Sequence, residues 1–152
     1  GGAQRPGEVA CLRAVRQVAD RVGIADRVRF AGERHDVPRL LAAADIHCQA
    51  NSRPEAFGVA FVEALAAGLP VVTTAMGGAI EIIDDSCGML VDDDPVALAD
   101  ALRRLILDRT FRAALASAAP ARARALCDPH TQMERLADAL ASMPTAPVET
   151  HA

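Results

Sequence analysis

The sequence predicts an α/β fold, a parallel sheet with flanking helices, on three observations. Short apolar strand candidates alternate with longer stretches of helical periodicity, the order that makes βα units. The segment Val71-Val72-Thr73-Thr74 is β-branched throughout and short, as a strand covered on both faces should be. Glycines and Asp-Pro pairs stand at the joints between the two kinds of segment.

Residues 8–22 form the first helix candidate, with Val9, Leu12, Val15, Ala19 and Val22 recurring every three to four positions and Pro6 just before them. Val28-Arg29-Phe30-Ala31 reads as a strand ended by Gly32. Asp36 is placed to cap a short helix over 36–44 that tolerates Pro38 in its first turn. Residues 45–49 read as a strand around Ile46 and Cys48, and a polar loop over 50–56 leads into a helix over 58–67. Gly68 and Pro70 close that helix, and the strand 71–74 follows. After Gly77-Gly78 come a short helix over 79–83 and a last strand over 88–91. Asp94-Pro95 and Asp128-Pro129 each pair an N-cap with a proline at the first helical position, opening helices over 96–107 and 130–142. Between them 110–126 is helical, with an interruption expected at Pro120. The last ten positions, 143–152, lack periodicity and read as a flexible tail, which leaves 1–142 as one domain.

Composition removes several function classes. With 51% hydrophobic and 24% charged residues, the 152-residue chain is not disordered. Its 16 basic residues are all arginine, and without a lysine there is no Walker A phosphate loop, Schiff base or pyridoxal-phosphate anchor. A net charge of −4 offers nothing to a nucleic acid or an anionic membrane face. Cys11, Cys48, Cys87 and Cys127 form no C-x2-C pair and read as reduced, small apolar residues. His35, His47, His130 and His151 lack metal-ligand spacing; His47, inside an apolar run, reads as a satisfied core residue. The longest uncharged stretch, 64–80, is broken by glycines and a proline and does not read as a membrane span. No signal peptide is visible, which makes the cytoplasm the expected compartment. The chain opens without Met on Gly1-Gly2, which reads as the tail of a βα turn and so as a piece of something larger.

Parallel sheets bind ligands at the carboxyl ends of their strands, which directs attention to the loops at 32–34, 50–57 and 75–79. Glu55 precedes a helix start and Glu63 lies within that helix. Open N–H groups at Phe57, Gly58 and Val59 would suit an anion such as a phosphate, and Gly58 admits close approach. Two carboxylates beside such a site suit neutral hydroxyls, as on sugars, rather than the anion itself. A solvated loop residue and a surface helix residue explain the same pair of glutamates, and spacing alone leaves both readings open.

The stretch PEAFGVAFVEALAAGLPVV from Pro54, followed by GGAIEII and CGMLV, resembles the nucleotide-sugar-binding half of retaining glycosyltransferases of family 4, the group 1 glycosyl transferases of the GT-B fold. Their signature of two glutamates separated by seven residues is matched by Glu55 and Glu63. The resemblance covers roughly 28–107 and implies a Rossmann-like domain, the C-terminal half of GT-B with extra C-terminal helices, cut short at its N-terminal edge. It also implies transfer of a hexose from a nucleoside-diphosphate sugar to an acceptor. Glu55 would then accept hexose hydroxyls and be the catalytic residue, and Glu63 would accept ribose hydroxyls. Ala56, Phe57, Gly58 and Val59 would line the sugar and diphosphate, Gly32 and Glu33 would lie near the base, and Gly77 and Gly78 would shape the cleft floor, although a plain turn explains these two glycines nearly as well. Arg34 and Arg53 are candidates to neutralise a diphosphate, against the plainer reading of solvated loop arginines, and His35 and Asn51 receive no role.

This chain also departs from the family pattern. The resemblance implies an Arg and a Lys that grip the diphosphate after the domain's first strand and a separate acceptor-binding domain, and both are expected to lie outside this chain. The fragment alone is therefore expected to be inactive, with peripheral membrane attachment left to the missing domain. No metal or other cofactor is expected, since no Asp-x-Asp occupies a strand-end loop and Asp92-Asp93-Asp94 precedes a helix. The alternative reading is a non-catalytic nucleotide-sugar or phosphosugar binding module. A dehydrogenase or a receiver domain is disfavoured, for want of G-x-G-x-x-G and of lysine.

Overall fold

The computed structural model describes residues 6–143, and the chain falls into two compact units, Gly1–Arg39 and Leu40–Ala152. The first unit holds helix α1 (Pro6–Arg21) and a single 3₁₀ turn (Ala25–Arg27) that the sequence did not announce. Helix α2 (Val37–Ala42) carries the chain into the second unit. There follow β1 (His47–Gln49), α3 (Val59–Ala66), β2 (Val71–Thr74), α4 (Ala79–Ile82), β3 (Gly88–Val91), α5 (Pro95–Leu107), α6 (Arg109–Cys127) and α7 (Pro129–Ala141).

The sheet of the second unit is parallel in the order β1-β2-β3, with His47 opposite Val71 and Val71 opposite Gly88. Every residue of β2 is buried. Because side chains alternate across a strand, Val71 and Val72 enter different apolar clusters. Val71 joins Phe61, Leu65, Ile82 and Ala119, whereas Val72 joins Ala101, Leu105 and Leu115. The all-β-branched sequence of β2 thus reports a strand covered on both faces.

The helix boundaries follow their caps. Asp94 accepts from Ala97 N at 2.9 Å, Asp108 from Phe111 N at 2.9 Å and Asp128 from Thr131 N at 2.9 Å. Pro95 and Pro129 occupy the first turns, as their missing N–H allows. Replacing Asp94 with alanine should cost about 1 kcal/mol through loss of the cap. Urea unfolding checks this, and an unchanged midpoint would show that the cap contributes nothing. At the end of α3, Gly68 N reaches Leu65 O at 2.9 Å and Leu69 N reaches Ala64 O at 3.0 Å, the paired bonds of a Schellman motif. The one-turn α4 is held from α6: Arg122 donates to Ile82 O at 2.9 Å and Glu81 O at 2.6 Å, and pairs with Asp84 at 3.2 Å.

Several expectations are corrected. Among the described residues, 28–31 belong to no ladder. Val28 is extended (φ −102°, ψ 123°), but an extended segment becomes a strand only by pairing, and Phe30 instead lies under the Arg16 guanidinium at 5.0 Å. Asp36 does not cap α2 with its side chain. Arg34 binds both of its oxygens, at 2.7 and 2.6 Å, and this charge-assisted fork outcompetes a backbone N–H. Helix α6 runs through Pro120 unbroken. Burial of Leu115, Ala119 and Ala123 along one face offsets the lost backbone bond. Of the four free cysteines only Cys87 is buried, while Cys11, Cys48 and Cys127 are exposed. Apart from Met143, the expected tail lies outside the described residues. Among the described residues no helix is long and apolar enough to cross a membrane.

Candidate functional site

Gln49 ends β1, Thr74 ends β2, and the loops that follow these two strand ends lie against each other. Asn51 is stitched to the end of β2 by a reciprocal pair: its N–H donates to Thr74 Oγ1 at 3.1 Å, and the Thr74 hydroxyl donates to Asn51 O at 2.8 Å. The loop then turns back so that the half-buried Glu55 carboxylate meets the side chains that precede it. Gln49 Nε2 donates to Glu55 Oε2 at 2.7 Å and to Asn51 Oδ1 at 3.1 Å. Asn51 Nδ2 also points at Glu55 Oε2, at 3.4 Å. Among the described residues, Glu55 Oε1 accepts no hydrogen bond.

The backbone of this loop is clamped by the turn after β2. Gly78 N donates to Glu55 O at 2.8 Å. A Cβ on Gly78 would stand 2.6 Å from Phe57 O and 2.9 Å from Ala56 O, and one on Gly77 would stand 2.7 Å from Glu55 N. Gly77 is also left-handed, at φ 59°. These two glycines are required by close approach of the loop that carries Glu55.

Gly58 caps α3 in the left-handed region (φ 90°, ψ 55°), and a Cβ there would run into the Phe61 ring. Phe61 N reaches Gly58 O at 3.0 Å, whereas the N–H groups of Phe57, Gly58 and Val59 meet no acceptor among the described residues. Phe57 and Val59 are exposed, at 50% and 60%. This end of α3 therefore presents open donors together with the positive end of the helix dipole. Ala56, exposed, bridges Glu55 to that start.

Glu63 lies within α3 with an exposed side chain that makes no hydrogen bond among the described residues. Gly32 and Glu33 belong to the first unit, where Gly32 is left-handed at φ 68° and Glu33 is exposed. Of the two arginine candidates, Arg34 is engaged by Asp36, while Arg53 is exposed in the loop before Glu55. The structure thus brings together Glu55, Ala56, Phe57, Gly58, Gly77 and Gly78. It adds Gln49, Asn51 and Thr74, which sequence reading passed over. The available signal was two amide residues flanking a strand end just ahead of a loop carboxylate.

His47 corrects another expectation. Its ring meets Phe61 edge-on at 6.1 Å, but its Nε2 is buried without a partner. It is therefore not a satisfied core histidine, and desolvation pushes its pKa below the ordinary value. Among the described residues no three His, Cys, Asp or Glu side chains gather as a metal site would need.

The family model for glycosyl transferases group 1 matches residues 2–108. A D-inositol 3-phosphate glycosyltransferase from Corynebacterium urealyticum is 36% identical over 97% of this chain and 34% of its own length. That of Salinispora tropica is 44% identical over 71% of this chain and 23% of its own length. The crystal structure of Anabaena HepE in complex with UDP superposes with a TM-score of 0.85 at 34% identity, over 91% of this chain and 39% of that one. The chain thus spans about a quarter to a third of the curated relatives it matches. Its α/β architecture is the Rossmann-like half of a GT-B fold. On these matches, the chain belongs to the group 1 glycosyltransferases.

Proposed function

We propose that the chain is the donor-binding domain of a larger retaining enzyme that transfers a hexose from a nucleoside-diphosphate sugar to an acceptor. The observation that carries this reading is one carboxylate, Glu55, held by Gln49 in the loop that runs directly into the open N–H groups at the start of α3. A diphosphate needs such donors, and a sugar hydroxyl needs such an acceptor. Crystal structures of HepE with UDP and with UDP-glucose support the ligand class. The resemblance of residues 54–72 to family 4 supports the retaining course.

In this reading Phe57, Gly58 and Val59 stabilise the charge that develops on the leaving diphosphate, at no reorganisation cost during the reaction. Glu55 accepts hydroxyls of the hexose and acts on the reacting sugar, and Glu63 accepts those of the ribose. Backbone donors and the helix dipole take the place of a divalent metal, and the reaction runs in the cytoplasm.

A thermal-shift panel on the full-length enzyme tests the reading, with UDP, GDP, ADP, UDP-glucose, GDP-mannose and ADP-glucose, all in excess EDTA. One nucleotide and its sugar should raise the melting temperature. Saturation at 100-fold over Kd stabilises by about 2.7 kcal/mol. No shift with any member would overturn the reading. Transfer lost in EDTA and restored by metal would contradict the metal-free mechanism. Binding without transfer would favour a non-catalytic module.

A further inference from the structure

Resting on that reading, we propose that Gln49 and Asn51 are positioning residues that lock the Glu55 carboxylate in one orientation and leave its Oε1 to take the donor's hydroxyl. Both amides converge on the same oxygen, Oε2, at 2.7 and 3.4 Å. They also hold each other, through Gln49 Nε2 and Asn51 Oδ1 at 3.1 Å. Each is anchored in turn. Gln49 is paired in register with Thr73 in the sheet, and the Asn51 backbone is bonded twice to the buried Thr74 hydroxyl. The Glu55 backbone is fixed separately by Gly78 N. Both the main chain and one carboxylate oxygen are thus immobilised before any ligand arrives, so the entropy of ordering a long side chain is not charged to binding.

Amides suit this task better than an arginine would. A guanidinium forks across both carboxylate oxygens, as Arg34 does on Asp36, whereas a neutral amide holds one oxygen and leaves the other open. Core packing does not account for the trio, because Gln49, Asn51 and Glu55 are half-buried and belong to neither apolar cluster.

The test uses the full-length enzyme with the nucleotide sugar that responds in the panel above and its free nucleoside diphosphate. Gln49→Met keeps length and volume but removes the donors. It should lower the affinity for the nucleotide sugar, and kcat/KM with it, by about 10-fold, the low end for a hydrogen bond to a charged group. Affinity for the free diphosphate should not change, which also shows that the variant is folded. In a Glu55→Ala background, Gln49→Met should cost nothing further, because nothing remains to be positioned. An equal loss in both backgrounds, or a parallel loss of diphosphate affinity, would overturn the proposal. Asn51→Ala repeats the comparison with the weaker donor, and a full loss there in the Glu55→Ala background would also count against it. If Glu55→Ala itself leaves sugar affinity and transfer intact, the assignment of Glu55 fails. If Glu55→Ala loses them and Gln49→Met does not, the positioning proposal alone fails.

Discussion

In the full-length enzyme, Gly78→Ala is expected to reduce transfer by roughly 100-fold or more while the protein remains folded. The φ of Gly78 is −59°, so alanine meets no conformational penalty there. The obstacle is space, since the new Cβ would stand 2.6 Å from Phe57 O and 2.9 Å from Phe57 Cα, both backbone atoms. Relief requires the loop 55–57 to move away and breaks or lengthens the bond from Gly78 N to Glu55 O. Overpacking of this kind costs about 1–3 kcal/mol in stability. The larger effect falls on function, because a misplacement of about 1 Å in a reacting constellation can cost ~100-fold. Gly77→Ala adds left-handed strain to a similar collision and should be at least as damaging. Steady-state kinetics beside a thermal melt separates the two effects. Wild-type turnover in Gly78→Ala would show that the clamp on Glu55 is unimportant.

The second large effect separates the two glutamates. If Glu63 accepts ribose hydroxyls as proposed, Glu63→Gln in the full-length enzyme replaces a charged acceptor with a neutral one and removes charge-assisted bonds worth roughly 1.5–3 kcal/mol. Nucleoside diphosphate and intact nucleotide sugar should therefore both weaken by about 10- to 100-fold. Glu55→Gln should spare the diphosphate, which has no hexose, and lower transfer. Part of that loss should appear in kcat, since charge and shape change most at the sugar in an oxocarbenium-like transition state.

Much of this was legible in the sequence because the second unit is built from local signals that agree with its packing. The β-branched run of β2, the Asp caps at 94 and 128, and Gly68 after α3 all stand where the sequence predicts them. What escaped depends on partners distant in sequence. Residues 28–31 have strand chemistry but no ladder among the described residues, and Asp36 has cap chemistry but an arginine two positions away that binds it more strongly. Pro120 is a helix breaker by itself and is overridden by the face that buries Ala119 and Ala123. In the site, the glutamate motif marked Glu55, and the glycines after β2 were visible as a turn. Their contact with the Glu55 loop, and the hold of Gln49 and Asn51 on its carboxylate, arise only when two strand ends are brought side by side.

The central claim is that Glu55 serves the hexose of the donor and Glu63 its ribose. Isothermal titration calorimetry of the full-length enzyme tests it most directly, with a nucleotide sugar and its free nucleoside diphosphate titrated into wild type, Glu55→Gln and Glu63→Gln. The account predicts that Glu55→Gln weakens only the nucleotide sugar, whereas Glu63→Gln weakens both ligands by similar factors. Equal loss of diphosphate affinity in the two variants would contradict the division of roles, and no loss in either would leave neither carboxylate a part in donor binding.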